Sequence, residues 1–396
     1  MVAWRRVFSS RLPRHLEPNA LSLAAAELRA SGVRPIDLTE TNPTNVGLLY
    51  PSDVLQGLSN PASLRYEPHA FGLESAREAV AADYRAQFPS ASADRIVLTS
   101  STSDAYSLLF KLLCSPGEEV LVPQPSYPLF DLLTALDGVP AKPYRLDYSG
   151  TWSIDRASVE AAISSRTRAI LIVSPNNPTG SMLRADDREW LAAICNDCAL
   201  AVIADEVFAP YPLSPKDDAC SIAGEDRFLN FTLGGLSKSA GLPQLKLGWM
   251  LAGGPEEILG HAMERLEIIS DSYLSVSTPV QHATPALIES GKAIRALILA
   301  RLETNLRHLR ERLAQSPPVT LLEPEGGWSA VLQVPATESE ESLALRLLRD
   351  DQVRIHPGYF FDFEREAFLV VSLLPGPGIF AEGIDRVLKG VEKGLS

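Results

Sequence analysis

Residues 167–180 read TRAILIVSPNNPTG and residues 200–211 read LAVIADEVFAPY. Each is a short apolar run rich in β-formers that breaks off into polar or turn-forming residues. Between them DDREWLAAICNDC (186–198) carries the apolar spacing of a helix. Working outward, RIVLTS (95–100), EEVLVP (118–123), VPAKPYRL (139–146), FLNFTLG (228–234) and LKLGWMLAG (245–253) repeat the first pattern. DAYSLLFKLLCS (104–115), YPLFDLLTALDG (127–138) and DRASVEAAIS (155–164) repeat the second. The alternation predicts an α/β domain with a mostly parallel sheet flanked by helices. From about residue 285 the rhythm changes. A long helical segment, GKAIRALILARLETNLRHLRERLAQS (291–316), is followed by the strand-like VTLLEP, WSAVLQV and FLVVSLL, the mark of a second, α+β domain. The helix-like LSLAAAELRASG (21–32) is expected to pack on that part. The expected division is a large domain over 45–285 and a small one formed by 1–44 and 286–396.

Composition narrows the function. A chain of 396 residues, 45% apolar, exceeds the usual ceiling for one compact domain. With 36 basic against 49 acidic residues the net charge is −13, and no Lys/Arg block could neutralise a row of phosphates, so nucleic acid is not an expected partner. No apolar stretch approaches the roughly 20 residues a membrane helix needs. The start, MVAWRRVFSSRLPRHLEP, lacks the apolar core of a secretory signal. A cytoplasmic protein without membrane contact is expected. Of the four cysteines, Cys195 and Cys198 have the spacing of a metal or redox half-site, but no second Cys/His pair accompanies them. Packed or surface thiols are the plainer reading, with no metal and no disulfide framework.

In open parallel sheets ligands collect beyond the C-terminal ends of the strands. The residues there form a set: TSSTSDA (99–105), PQPSYP (123–128), SPNNPTG (174–180), DEVFAPY (205–211) and GLSKSAGLPQLKLGW (235–249). Their order and spacing resemble those of fold-type I aminotransferases of class I/II over about residues 35–375. The resemblance implies the fold of the pyridoxal 5'-phosphate (PLP)-dependent transferases: a large domain with a mostly parallel seven-stranded sheet and a smaller α+β domain. It also implies PLP as cofactor and a small-molecule amino donor and keto acceptor.

By the same resemblance Lys238 holds PLP as a Schiff base and shuttles the proton, and Asp205 keeps the pyridine nitrogen protonated. Asn177 matches the residue that hydrogen-bonds the 3'-oxygen, although Asn-Pro also suits a plain turn. Tyr127 matches the ring stacked on the pyridine. Ser101 and Thr102 would cradle the phosphate at a helix start, where a plain helix cap is the simpler reading. Ser237 and Lys246 would add a hydroxyl and a charge, with lysine where relatives mostly carry arginine. Tyr66 matches a tyrosine reaching the phosphate of a neighbouring subunit, which implies a homodimer with a shared active site.

Two departures stand out. Phe208 replaces a tyrosine that would hydrogen-bond the 3'-oxygen, leaving Asn177 alone or Tyr211 to reach in. Val370, followed by Ser372, occupies the place of an arginine that grips the substrate carboxylate. Arg65, Arg354 and Arg365 are candidate substitutes; Asn42, Pro43 and Trp328 are candidate pocket-lining residues. A PLP lyase or another carbanion-forming enzyme on this fold is the alternative. A non-catalytic PLP-binding module of a transcription regulator is a third reading, disfavoured because Lys238 and Asp205 are both present.

Overall fold

The computed structural model describes residues 8–13, 16–315 and 318–395. Residues 1–7, 14, 15, 316, 317 and 396, which the expected small domain includes, lie outside the described residues. In chain order the strands are β1 Ile36–Asp37, β2 Ile96–Thr99, β3 Glu119–Gln124, β4 Ala141–Tyr148, β5 Trp152–Ile154, β6 Thr167–Val173 and β7 Ala201–Asp205. They continue as β8 Asn230–Gly235, β9 Gly248–Gly253, β10 Thr320–Leu322, β11 Ser329–Gln333, β12 Val353–Arg354, β13 His356–Pro357 and β14 Phe368–Ser372.

The main sheet has the order β2-β9-β8-β7-β6-β3-β4-β5. It is mostly parallel: β9 runs against β2 and β8, and β5 runs against β4. The sheet therefore has eight strands rather than the seven expected. The additional one, β5, is a three-residue edge strand, too short to carry a readable period. Burial explains the continuous apolar runs. On β6, Ala169, Leu171 and Val173 face one core with Leu109 and Phe110. Ile170 and Ile172 face the other with Leu191 and Cys195. Successive side chains on a strand point to opposite faces, so a strand covered on both sides must be apolar throughout.

A second sheet, β10-β11-β14-β13, is antiparallel, and β1 pairs with β12 in a separate parallel ladder. The helix Ala20–Ala30 packs on the helix Glu340–Arg349, as LSLAAAELRASG led us to expect. One helix, Thr278–Leu313, joins the two sheet systems: it touches the helix Glu74–Arg85 at one end and β10 at the other. The expected division between residues 285 and 286 falls inside this helix, at Pro285. Of the CNDC pair, Cys195 is buried in the helix Ala185–Cys198 and Cys198 is exposed, both as free thiols.

Candidate active site

β7 carries its apolar run into the core and ends on Asp205. One carboxylate oxygen, Oδ1, accepts the Val207 amide N–H at 3.2 Å; the other, Oδ2, accepts the Tyr106 hydroxyl at 3.0 Å. Burial raises the Asp205 pKa, against the two hydrogen bonds and the nearby Lys238 charge. Tyr106 projects from the helix Thr102–Leu113 and is wedged edge-on against Phe130, ring centroids 5.4 Å apart.

The neighbouring strand β8 runs into a one-turn helix, Leu236–Ser239, that presents Lys238. Its Nζ lies 4.6 Å from the Trp328 ring centroid and 5.3 Å from that of Phe208. Desolvation by these walls brings the lysine pKa down to about 8, with Asp205 acting in the opposite direction. One glycine before it, Gly234, is a steric necessity. A Cβ on Gly234 would sit 2.4 Å from Trp249 Nε1. The Tyr211 hydroxyl is spent elsewhere, donating to the Lys238 backbone carbonyl. Phe208, not Tyr211, is the residue that faces the Lys238 amine, so the reach proposed for Tyr211 is not what the fold provides.

Ser101 caps the helix Thr102–Leu113, its Oγ accepting the Asp104 N–H at 3.1 Å. Asp104 in turn accepts the Ser100 N–H and hydroxyl and the Ser275 hydroxyl. The N–H groups of Ser101 and Thr102 are left unclaimed by the backbone. A Cβ on Gly248 would meet the Ser101 carbonyl carbon at 2.9 Å and the Thr102 nitrogen at 3.1 Å, so only glycine lets β9 lie this close. Ser237 is half-buried on the Lys238 turn; Lys246 is exposed, in the left-handed region at φ 51°.

Tyr127 and Asn177 line one cavity of about 300 Å³ together with Ser329, His356, Phe360 and Val370. Tyr127 is 41% exposed, and Asn177 Oδ1 accepts the Ser329 hydroxyl at 3.4 Å. Tyr66 lies elsewhere. It is 75% exposed and lines a surface hollow with Tyr273 and Ser275, the latter bound to Asp104 of the helix cap. None of the three candidate arginines lines the Val370 cavity. Arg65 pairs with Glu67 at 2.8 Å, Arg354 with Asp37 at 3.3 Å, and Arg365 lies over the Phe368 ring. Of the other candidates, Asn42 caps the turn Pro43–Asn45, and neither it nor Pro43 faces the cavity; Thr39 and Thr41 do. Sequence reasoning missed Tyr106 and His356. Tyr106 reads as a core position of a helix, whereas a lone histidine in RIHPGYFF was a signal that could have been followed.

An amine kept partly neutral, a buried carboxylate and a free helix N-terminus at the strand ends of a mostly parallel sheet fit PLP, by the chemistry of each donor. The fold and this site define a PLP-dependent transferase of fold type I. The sequence matches the family described as aminotransferase class I and II over residues 58–376, and the chain belongs to it. It is 28% identical over 377 residues to the alanine aminotransferase of Mycobacterium tuberculosis H37Rv, covering 92% of this chain and 87% of that one. The glutamate-pyruvate aminotransferase AlaA of Escherichia coli K12 is 26% identical over 358 residues, 88% of each chain. Among solved structures, an alanine aminotransferase from Pyrococcus furiosus superposes with a TM-score of 0.88 at 24% identity, covering 98% of this chain and all (100%) of that one. The protein is thus a PLP-dependent aminotransferase. No helix among the described residues is long and apolar enough to cross a membrane.

Proposed function

We propose that Lys238 and Asp205 are the catalytic pair of this aminotransferase, which passes an amino group from an amino donor to a keto acid. The observation that carries the reading is their setting: an amine with a pKa near 8 and a buried carboxylate at the ends of adjacent parallel strands, β8 and β7. Bound there, PLP supplies the aldehyde that takes up the amino group and the ring that withdraws the electron pair left at the donor carbon. Lys238 Nζ, neutral in a useful fraction near pH 8, is the base for the proton on the donor Cα. Trp328 and Phe208 exclude water from it. Asp205, whose two hydrogen bonds favour its carboxylate form against burial, is read as holding a proton on the ring nitrogen. Tyr106 keeps that carboxylate oriented.

Ser101, Thr102, Ser237 and Lys246 are read as the phosphate cradle, with the amide donors and helix dipole doing most of the binding. Tyr127 is read as the ring-stacking residue and Asn177 as the donor to the 3'-oxygen, without help from Phe208. The exposed Tyr66, beside the hollow that adjoins the helix cap, is read as completing the site of a second copy in a homodimer. We take the protein to be cytoplasmic and divided into 45–285 and 1–44 with 286–396.

Asp205→Asn tests the assignment. Loss of a preorganised charge at a reacting centre costs on the order of a hundredfold or more in rate. The variant should keep PLP and its melting temperature while a donor converts PLP to pyridoxamine phosphate at least about a hundredfold more slowly. Wild-type conversion by a PLP-loaded variant would remove Asp205 from this role.

A further inference from the structure

The cavity beside Tyr127 and Asn177 borders the Lys238 pocket: Ser329 on its wall directly follows Trp328, whose ring centroid lies 4.6 Å from Lys238 Nζ, so if Lys238 acts as proposed above the cavity receives a substituent of the donor's reacting carbon. Among the described residues that line it there is no lysine, arginine, aspartate or glutamate. Its apolar walls include Val370, 3% exposed, and Phe360; its polar groups, all uncharged side chains, include Ser329, Ser372, Asn177 and His356, with Thr39 and Thr41 beside them. His356 stands across from Val370 in the β13–β14 ladder. Burial and the Arg354 charge bring its imidazole down to about 4, against Asp37, so it is neutral at neutral pH.

We propose that this cavity selects an amino donor whose reacting carbon bears an uncharged polar group, an amide or a hydroxymethyl, in place of a free carboxylate. A carboxylate entering it would lose its water without meeting an opposite charge, whereas an amide or hydroxyl can satisfy its donors and acceptors on Asn177, Ser329 and His356. The candidate arginines are held elsewhere by Glu67, Asp37 and the Phe368 ring. In this respect the chain parts from relatives named for free amino acids. The balance is that of any transamination. The donor's amine carbon is oxidised to a carbonyl by one electron pair, which with the nitrogen passes to the PLP aldehyde carbon. The aldehyde oxygen leaves as water, a second water supplies the new carbonyl oxygen, and the Cα proton ends on the cofactor carbon.

The test compares L-alanine, L-alaninamide and L-alaninol by absorbance titration of PLP-loaded Lys238→Ala, which reads binding without turnover, and by conversion of PLP to pyridoxamine phosphate in the unmodified enzyme. The amide and the alcohol are expected to bind at least about tenfold more tightly than L-alanine, and Val370→Arg to erase that preference. Tighter binding of L-alanine would overturn the inference, and its loss in Arg354→Gln or Arg65→Gln would name the cation responsible. The ligand comparison decides even if Val370→Arg fails to fold. Conversion of none of the three, with the binding preference intact, would count against the catalytic reading of Lys238 while supporting the uncharged cavity.

Discussion

Tyr106 is the residue whose contribution is most sharply defined by its partner. Its hydroxyl gives the Asp205 carboxylate one of the two hydrogen bonds it accepts among the described residues, and both favour the ionised carboxylate against the burial that opposes it. A hydrogen bond to a charged group contributes about 1.5–3 kcal/mol, and about 1.4 kcal/mol is tenfold in rate. Tyr106→Phe keeps the ring against Phe130 and removes only that bond. Turnover should fall about tenfold with little change in thermal stability, read by steady-state kinetics alongside a melting curve. An unchanged rate would mean that Asp205 needs no such support. Lys238 and Asp205 were singled out because GLSK after FLNFTLG and DEVF after LAVIA resemble family motifs that follow strands, and the fold sets both residues at the ends of adjacent strands. Tyr106 was not, because DAYSLLF spaces it as an ordinary helix core residue, and only the fold brings it across 99 positions to Asp205. His356 is a different case: the lone histidine in RIHPGYFF was visible, but only the β13–β14 pairing sets it opposite Val370.

At the scale of elements, β7 ends on one carboxylate, Asp205, and a second, Glu206, follows directly; their fates diverge. Asp205 faces the site, while Glu206, buried, accepts the Ile222 N–H at 2.8 Å and the Ser221 hydroxyl. Burial raises the Glu206 pKa to about 7, with the Asp205 charge adding to it and the two hydrogen bonds opposing. A folded-state value above the unfolded one means a contribution to stability that is complete below about pH 4.5 and lost as pH rises through 7. Glu206→Gln cannot ionise. Its stability relative to wild type should therefore improve between pH 5 and pH 8, by up to about 3 kcal/mol. Denaturant unfolding at the two pH values measures this, and a pH-independent difference would show that Glu206 does not titrate in the fold. The elements themselves were legible where they were long. All seven apolar runs quoted for the large domain are strands of the main sheet, and VTLLEP, WSAVLQV and FLVVSLL supply β10, β11 and β14. β1, β5, β12 and β13 were not, because their two or three residues sit within no extended apolar run of the kind that VTLLEP gives β10. The helix Thr278–Leu313 begins earlier than its apolar spacing suggested. Pro279 sits harmlessly in its first turn, where N–H groups lack partners anyway, but in sequence it and Pro285 read as breaks.

At the scale of the whole molecule, the shared-site proposal makes Tyr66 and Lys238 separable. If Tyr66 serves a second copy, Tyr66→Ala and Lys238→Ala, each severely impaired, should complement after subunit exchange. A mixed dimer then holds one intact site, so recovery approaches about a quarter of wild type when equal amounts mix randomly in a two-fold dimer. No recovery, or an active monomer in sedimentation at assay concentration, would contradict it. The most direct test of the account as a whole is chemical. Borohydride reduction of the PLP-loaded enzyme, followed by peptide mapping, should place the pyridoxyl group on Lys238 in the peptide containing GLSKSAG, with Lys238→Ala unlabelled; a label on any other lysine would contradict the central assignment.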